Sequence, residues 1–184
     1  IAGSYNNAYY PALIEAQGFQ KDADRIETRL EFPQAMPPLF QMIAKKVMPA
    51  AEAEGYRLVE GLTKRSVMGY AGQFWEVLEA AFEHLYGVTP LTDEQKAFYE
   101  KKYFGFIDPR FLQLVVDGSG RLQGFFLGLP SLSRPFQRAG GRLLPLGFFH
   151  ILRGFKRFDT VDFYFAGVRP QANVKRIFPM MALG

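Results

Sequence analysis

Two apolar runs, Phe111–Val116 and Leu122–Leu129, flank the tetrapeptide Asp117-Gly118-Ser119-Gly120. Asp and Gly are residues that tight turns require, so this stretch predicts a β-hairpin. A hairpin this apolar needs a core around it. The composition, 48% apolar and 22% charged, allows one. A further strand is predicted over Thr160–Val168, stopped by Pro170.

The chain before the hairpin reads mainly as helix. Leu39, Phe40, Ile43, Val47, Ala50 and Ala51 recur three and four apart and predict a helix. Pro49 should kink or shorten it. Gly55 closes it, and Tyr56–Leu62 follows as a strand. The clearest helical pattern is Ser66–Tyr86, with Ser66 as cap and Val67, Ala71, Phe74, Leu78, Phe82 and Leu85 as one stripe ended by Gly87. Thr92-Asp93-Glu94-Gln95 has the form of a capping box, opening a helix from Asp93 to about Tyr103. Short helices are expected near Pro135–Ala139 and Phe148–Lys156. Toward the start, Tyr10–Gln17 reads as a helix with Pro11 in its first turn and Gly18 at its end. Arg25–Phe32 alternates as a half-exposed strand does. Pro33, Pro37 and Pro38 mark a linker over 32–38.

Charge and composition narrow the function classes. The chain has no cysteine, which excludes disulfides, thiolate metal sites and a cysteine nucleophile. No apolar run reaches the ~18 residues of a membrane span. The start, Ile1-Ala2-Gly3-Ser4, shows no basic stretch leading into an apolar one, and it lacks Met, so the natural start is expected upstream. A cytoplasmic location fits these features best. Net charge is +4, and from Gly118 to Phe158 there is no acidic residue among seven basic ones: Arg121, Arg134, Arg138, Arg142, Arg153, Lys156 and Arg157. Such a block is read either as a solvated face or as a seat for an anionic ligand or nucleic acid. His84 and His150 are the only histidines. His84 lies close to the helical stripe and is expected to be partly buried and structural. Two histidines this far apart make no metal site.

From residue 56 the order is strand, helix, helix, hairpin, strand, and Gly167-Val168-Arg169-Pro170 ends the last strand. This order resembles the GNAT superfamily of N-acyltransferases. Leu85-Tyr86-Gly87-Val88-Thr89-Pro90-Leu91-Thr92 and Pro130-Ser131-Leu132-Ser133 look like bacterial proteins of that superfamily that carry two GNAT units. Asn7 to Phe19, an Asn before a helix ending in Gly18-Phe19, resembles the family's late motif. The resemblance implies an α+β fold with a central, mostly antiparallel sheet flanked by helices. Residues 1–32 would be the C-terminal piece of a first unit and 33–184 a second unit. It also implies acetyl-CoA or another acyl-CoA as co-substrate, held along Phe165, Ala166, Gly167, Val168 and Arg169. The reaction would be direct acyl transfer to the amine of a small molecule or peptide. Small residues at 166 and 167 would permit close backbone approach.

Two departures stand against that pattern. The family's glycine-rich turn, which cradles the CoA pyrophosphate at a helix N-terminus, should follow Pro170. Gln171-Ala172-Asn173-Val174-Lys175-Arg176 contains no glycine. The shortfall predicts either a segment absent between Pro170 and Gln171, with Gln171–Pro179 then the unit's final strand, or a unit that does not bind CoA. The second departure concerns the acid that many members supply from a tyrosine in the helix of the late motif. Leu13 stands at that place here, with Tyr9 and Tyr10 one turn earlier. No catalytic base is assigned, and Glu60, Glu76 and Asp162 are candidates by location alone. The alternative function is a non-catalytic module holding an anionic small molecule or peptide on segment 130–158. Nucleic-acid binding through Arg134, Arg138 and Arg142 ranks last, because Gly140 and Gly141 make a helix there poor.

Overall fold

The computed structural model describes residues 6–24 and 26–183, apart from the Phe106 side chain. The chain divides into two compact units, 1–36 and 37–184. In the first, α1 (Tyr10–Glu15) carries Pro11 in its first turn, and Gly18 adopts the left-handed φ of 88° that ends it. The strand expected from residue 25 is absent over 26–32, and Arg25 lies outside the described residues. Alternation alone does not make a strand. The backbone needs a ladder partner, and no strand stands within this unit among the described residues.

The second unit is a mixed α+β fold around one open antiparallel sheet of four strands in the order β1-β2-β3-β4: β1 (Arg57–Leu58), β2 (Leu112–Val116), β3 (Leu122–Pro130) and β4 (Val161–Val168). The hairpin is the predicted one. Asp117 sets its turn: one carboxylate oxygen accepts from the Ser119 and Arg121 backbone N–H groups at 2.9 and 3.1 Å and from the Ser119 hydroxyl at 2.6 Å. A bulge then leaves Gln123 unmatched between the pairs Val115–Gly124 and Val116–Leu122. The first strand is shorter than the seven residues expected. Only Arg57 and Leu58 pair with β2, and Val59 adds one bond to the Leu114 carbonyl.

Helices cover both faces of the sheet. On one side lie α3 (Lys64–Gly69) and α4 (Ala71–Phe82). The single helix expected over 66–86 is broken at Tyr70, and Thr63, not Ser66, is its cap. Thr63 is extended, its hydroxyl accepts from the Ser66 N–H, and Ser66 returns the bond to the Thr63 N–H. Val67, Ala71 and Phe74 of the expected stripe are buried, and so are Trp75 and Val77. The helix ends at Phe82, so Leu85 lies exposed beyond it. His84 is exposed too, contrary to expectation. Phe74 rests on Phe125 of β3 with ring centroids 4.3 Å apart. The box at Thr92 and Gln95 opens α5 (Asp93–Tyr103), which the Trp75 indole N–H ties to α4 through Glu100 at 2.6 Å.

The opposite face is covered by α2 (Pro38–Ala53) and α8 (Val174–Leu183), which pack together. Pro49 does not shorten α2. The expected final strand over Gln171–Pro179 is instead a turn followed by the first six residues of helix α8, Val174–Pro179. Its apolar residues Ile177, Met180 and Met181 fall three and four apart, and all three are buried against β2 and β3. Pro179 is tolerated inside this helix. Residues 131–160 form an excursion that leaves and re-enters the sheet at neighbouring points: Pro130 pairs with Val161, and the Ser131 N–H bonds the Thr160 carbonyl. This excursion holds α6 (Ser133–Arg138) and α7 (Gly147–Lys156), packed on each other.

Gly124 is the seat for α8. A Cβ there would stand 2.6 Å from Ile177 Cγ2 and 3.3 Å from Met181 Sδ. Both are buried side chains, and Ile177 is β-branched and stiff. Gly124→Ala should therefore destabilise the unit by about 1–3 kcal/mol, read by urea denaturation. Gly72→Ala, in α4 with nothing within 4 Å of the added atom, should stabilise by about 0.4–1 kcal/mol in the same assay.

Candidate functional site

The five residues expected to hold a co-substrate lie in sequence along the end of β4, and the fold gives them different tasks. β4 is the last strand of the sheet, so one of its edges has no ladder partner among the described residues. Leu127 pairs with Phe165 and Gly128 with Phe163, which leaves Tyr164 as an unmatched, bulged residue. Beyond the bulge, the Arg169 N–H bonds the Gln123 carbonyl at 2.8 Å. Mutually bonded pairs alternate along an antiparallel ladder. Gly167 and Phe165 therefore also bond β3, while the N–H and C=O groups of Ala166 and Val168 point to the free edge.

Side chains along this strand serve the core. Phe165 and Tyr164 pack on the α4 side, and burial pushes the Tyr164 phenol up from its ordinary value, with the Asp162 charge adding to it. Val168 packs on the α8 side. Gly167 is small for an internal reason: a Cβ there would lie 3.0 Å from a Phe125 ring carbon and 3.3 Å from the Ala81 methyl.

The Arg169 guanidinium turns inward. Its side chain is 10% exposed, Nε donates to the Leu122 carbonyl at 2.8 Å, and one terminal nitrogen donates to Glu76 at 2.7 Å. Arg121 approaches the same Glu76 oxygen at 3.7 Å. The hydrogen bond from Arg169 holds the Glu76 carboxyl below the usual range, with the two guanidinium charges adding to it. Glu76 is thus a clamp between α4 and the end of β4, and a carboxylate so held is a poor proton acceptor. Of the other carboxylates singled out, Asp162 is half-buried on β4 and Glu60 is exposed after β1.

Residues 169–173 carry the chain from β4 into α8 through a turn closed by the Ala172 N–H on the Arg169 carbonyl. Sequence reasoning did not single out what meets the start of α8. Glu54, at the end of α2, accepts from the Asn173 side-chain amide at 3.0 Å and from Arg176 Nε at 2.8 Å. The Tyr56 hydroxyl accepts from the Asn173 N–H at 3.3 Å. Arg176 holds the Glu54 carboxyl below its ordinary value. No local pattern could announce this contact, since Glu54 and Arg176 are 122 positions apart.

The excursion between β3 and β4 brings the basic block together. Arg134 and Arg138 from α6 face His150 and Arg153 from α7, and Arg157 just after it, across an open cleft of about 560 Å³. Asp159 is the one carboxylate among the residues described around it, and it pairs with Arg134 at 2.6 Å. Arg142, which the sequence grouped with Arg134 and Arg138, does not line the cleft. Among the described residues no group of three or more His, Asp or Glu side chains is arranged to hold a metal ion, and no helix is long and apolar enough to cross a membrane. No protein-family model, no curated protein and no solved structure matches this chain.

The Arg169 clamp predicts an acid-sensitive stability. A carboxyl whose folded value is depressed contributes stability above its unfolded value, near about 4.3 for glutamate, and loses it as pH falls through the folded value. Stability should therefore decline below about pH 4.3, and Glu76→Gln should flatten part of that acid limb in denaturation curves taken from pH 7 to pH 3. Arg169→Met, which strands the Leu122 carbonyl, should cost about 1–3 kcal/mol at neutral pH.

Proposed function

We propose that residues 37–184 form a GNAT-like unit whose activity is acyl-CoA-dependent N-acyltransfer. One observation carries the reading: β4 is bulged at Tyr164, turns the backbone polar groups of Ala166 and Val168 to an open edge, and runs through a five-residue turn into a helix. An open strand edge is a ready partner for an extended, amide-bearing chain, and the pantetheine arm of an acyl-CoA is one. The co-substrate supplies an activated thioester. The protein's part is to align that thioester and to donate an N–H to its carbonyl oxygen as charge gathers there. Ala166 and Val168 are the donors that face the right way. A neutral amine then attacks the carbonyl carbon, the C–S bond breaks, CoA departs as the thiolate, and the proton lost by the amine ends on that sulfur to give the thiol.

The phosphate end fits less well. The start of α8 supplies Lys175 and Arg176, but the Glu54 carboxylate already holds Arg176 and Asn173. A helix N-terminus favours an anion, and here a protein carboxylate takes that role.

Titration of acetyl-CoA into the purified chain, followed by calorimetry, tests the reading. Saturable binding is expected, and Ala166→Pro should weaken it about tenfold or more. That change removes one outward N–H from an edge strand, where proline is tolerated, and circular dichroism should report an unchanged fold. Glu54→Gln drops the charge, keeps one acceptor oxygen in place of two and should tighten binding severalfold. Binding that is absent, or indifferent to both substitutions, would sink the proposal.

A further inference from the structure

The cleft between α6 and α7 has no part in the proposed transfer. Arg134 and Arg138 are four residues apart on α6. His150 and Arg153 are three apart on α7 and share one face, and Arg157 caps the C-terminal end of that helix. Two helices thus present their basic sides to one another across a concave space. Arg138, Arg153 and Arg157 make no ion pair with a carboxylate among the described residues. The position of these side chains at helix C-terminal ends, where positive charge is favoured, offsets part of their mutual repulsion. It does not explain why they converge.

The floor of the cleft is built with close tolerance. A Cβ on Gly154 would meet Pro135 Cγ at 2.5 Å and Leu132 Cδ2 at 3.2 Å. Gly154 is buried while the arginines around it are exposed. The glycine lets α7 approach α6 closely, and that contact sets the spacing of the guanidiniums. Pro135 and Phe158 add apolar surface, and Phe158 is braced by the Phe111 ring at 5.2 Å. The hydroxyls of Ser131 and Thr160 stand at the rim next to the sheet.

We propose that this cleft binds the phosphoryl groups of a small organic phosphate carrying at least two negative charges. The cations lining the cleft are arginines, with no lysine among them. A planar guanidinium grips phosphate oxygens in pairs, which an ammonium does not. The volume lies in the range of small-ligand pockets, about 300–1,000 Å³. A concave seat of this size favours a compact ligand, whereas a nucleic-acid backbone needs a charged track along the surface. The site uses no atom of the β4 edge, so it stands or falls apart from acyl-CoA binding.

Inorganic pyrophosphate is the probe, with calorimetry on the whole chain at low and moderate salt. Saturable one-to-one binding is expected. Arg138→Gln and Arg157→Gln should each weaken it about tenfold or more, the scale of a lost charge-assisted hydrogen bond. Neither residue holds the fold through an ion pair, and near-ultraviolet circular dichroism should confirm an intact core. Arg176→Gln, at the start of α8, should leave pyrophosphate affinity unchanged. The proposal is overturned if pyrophosphate does not bind, or if Arg176→Gln removes binding while the cleft variants keep it. It is also overturned if a single-stranded oligonucleotide binds with a steep salt dependence and pyrophosphate fails to displace it.

Discussion

The second unit depends on two adjacent residues of β3 that face opposite ways. Phe125 is fully buried beneath Phe74 of α4, and Gly124 lies beneath Ile177 of α8. A large side chain on one face and none on the other let the same strand take a helix on each side at close range. Both contacts propagate outward. The Phe125 ring also fills the space above Gly167, so the pairing of β3 with β4 is a large residue against an absent one. Burial of a side chain such as Phe125 contributes roughly 1.5–3 kcal/mol, which makes this strand the mechanical centre of the unit.

Structural and binding demands meet along residues 165–169. Phe165, Gly167 and Val168 are committed through their side chains, or the lack of one, to the two cores. Arg169 is committed to Leu122 and Glu76. What remains for another molecule is backbone, at Ala166 and Val168. This division follows from an edge strand: its side chains alternate between two packed faces, while half of its amides have nowhere to go. The bulge at Tyr164 shifts the ladder by one residue and decides which amides those are. The same logic explains why Glu76, a candidate base by position, is better understood as a clamp.

Charge is sorted by the fold in two different ways. Arg176 at the start of α8 and Arg169 at the end of β4 each meet a carboxylate from a distant segment. In the excursion between β3 and β4 the arginines meet one another, with a single carboxylate nearby. The first arrangement satisfies itself, and the second leaves Arg138, Arg153 and Arg157 without a carboxylate partner among the described residues. That contrast within one small unit is the physical ground for assigning the cleft a ligand.

Local chemistry was legible in the sequence. The hairpin, the box at Thr92 and Gln95, the break at Gly55, the helix of 147–156 and the strand ending at Val168 all rest on turn residues, caps and periodicity that act over a few positions. The α+β class with a mostly antiparallel sheet was implied by the resemblance that the order of elements carries, and the sheet is antiparallel. The sequence alone misread features that need a partner from far away. Residues 26–32 alternate but find no ladder in their unit. Residues 66–86 look like one stripe, yet the helix is broken at Tyr70 and ends at Phe82, and Trp75 and Val77 are buried beside the stripe. The segment after Pro170 reads as strand or as shortfall, but becomes a helix because Gly124 offers a seat for Ile177. Only the tertiary structure decided that Glu54 meets Arg176, that Arg169 turns inward, and that three arginines of two short helices and Arg157 at the end of one share a cleft. Each of these is a contact between residues that no short-range pattern links, and its free energy exists only once the sheet has brought the segments together.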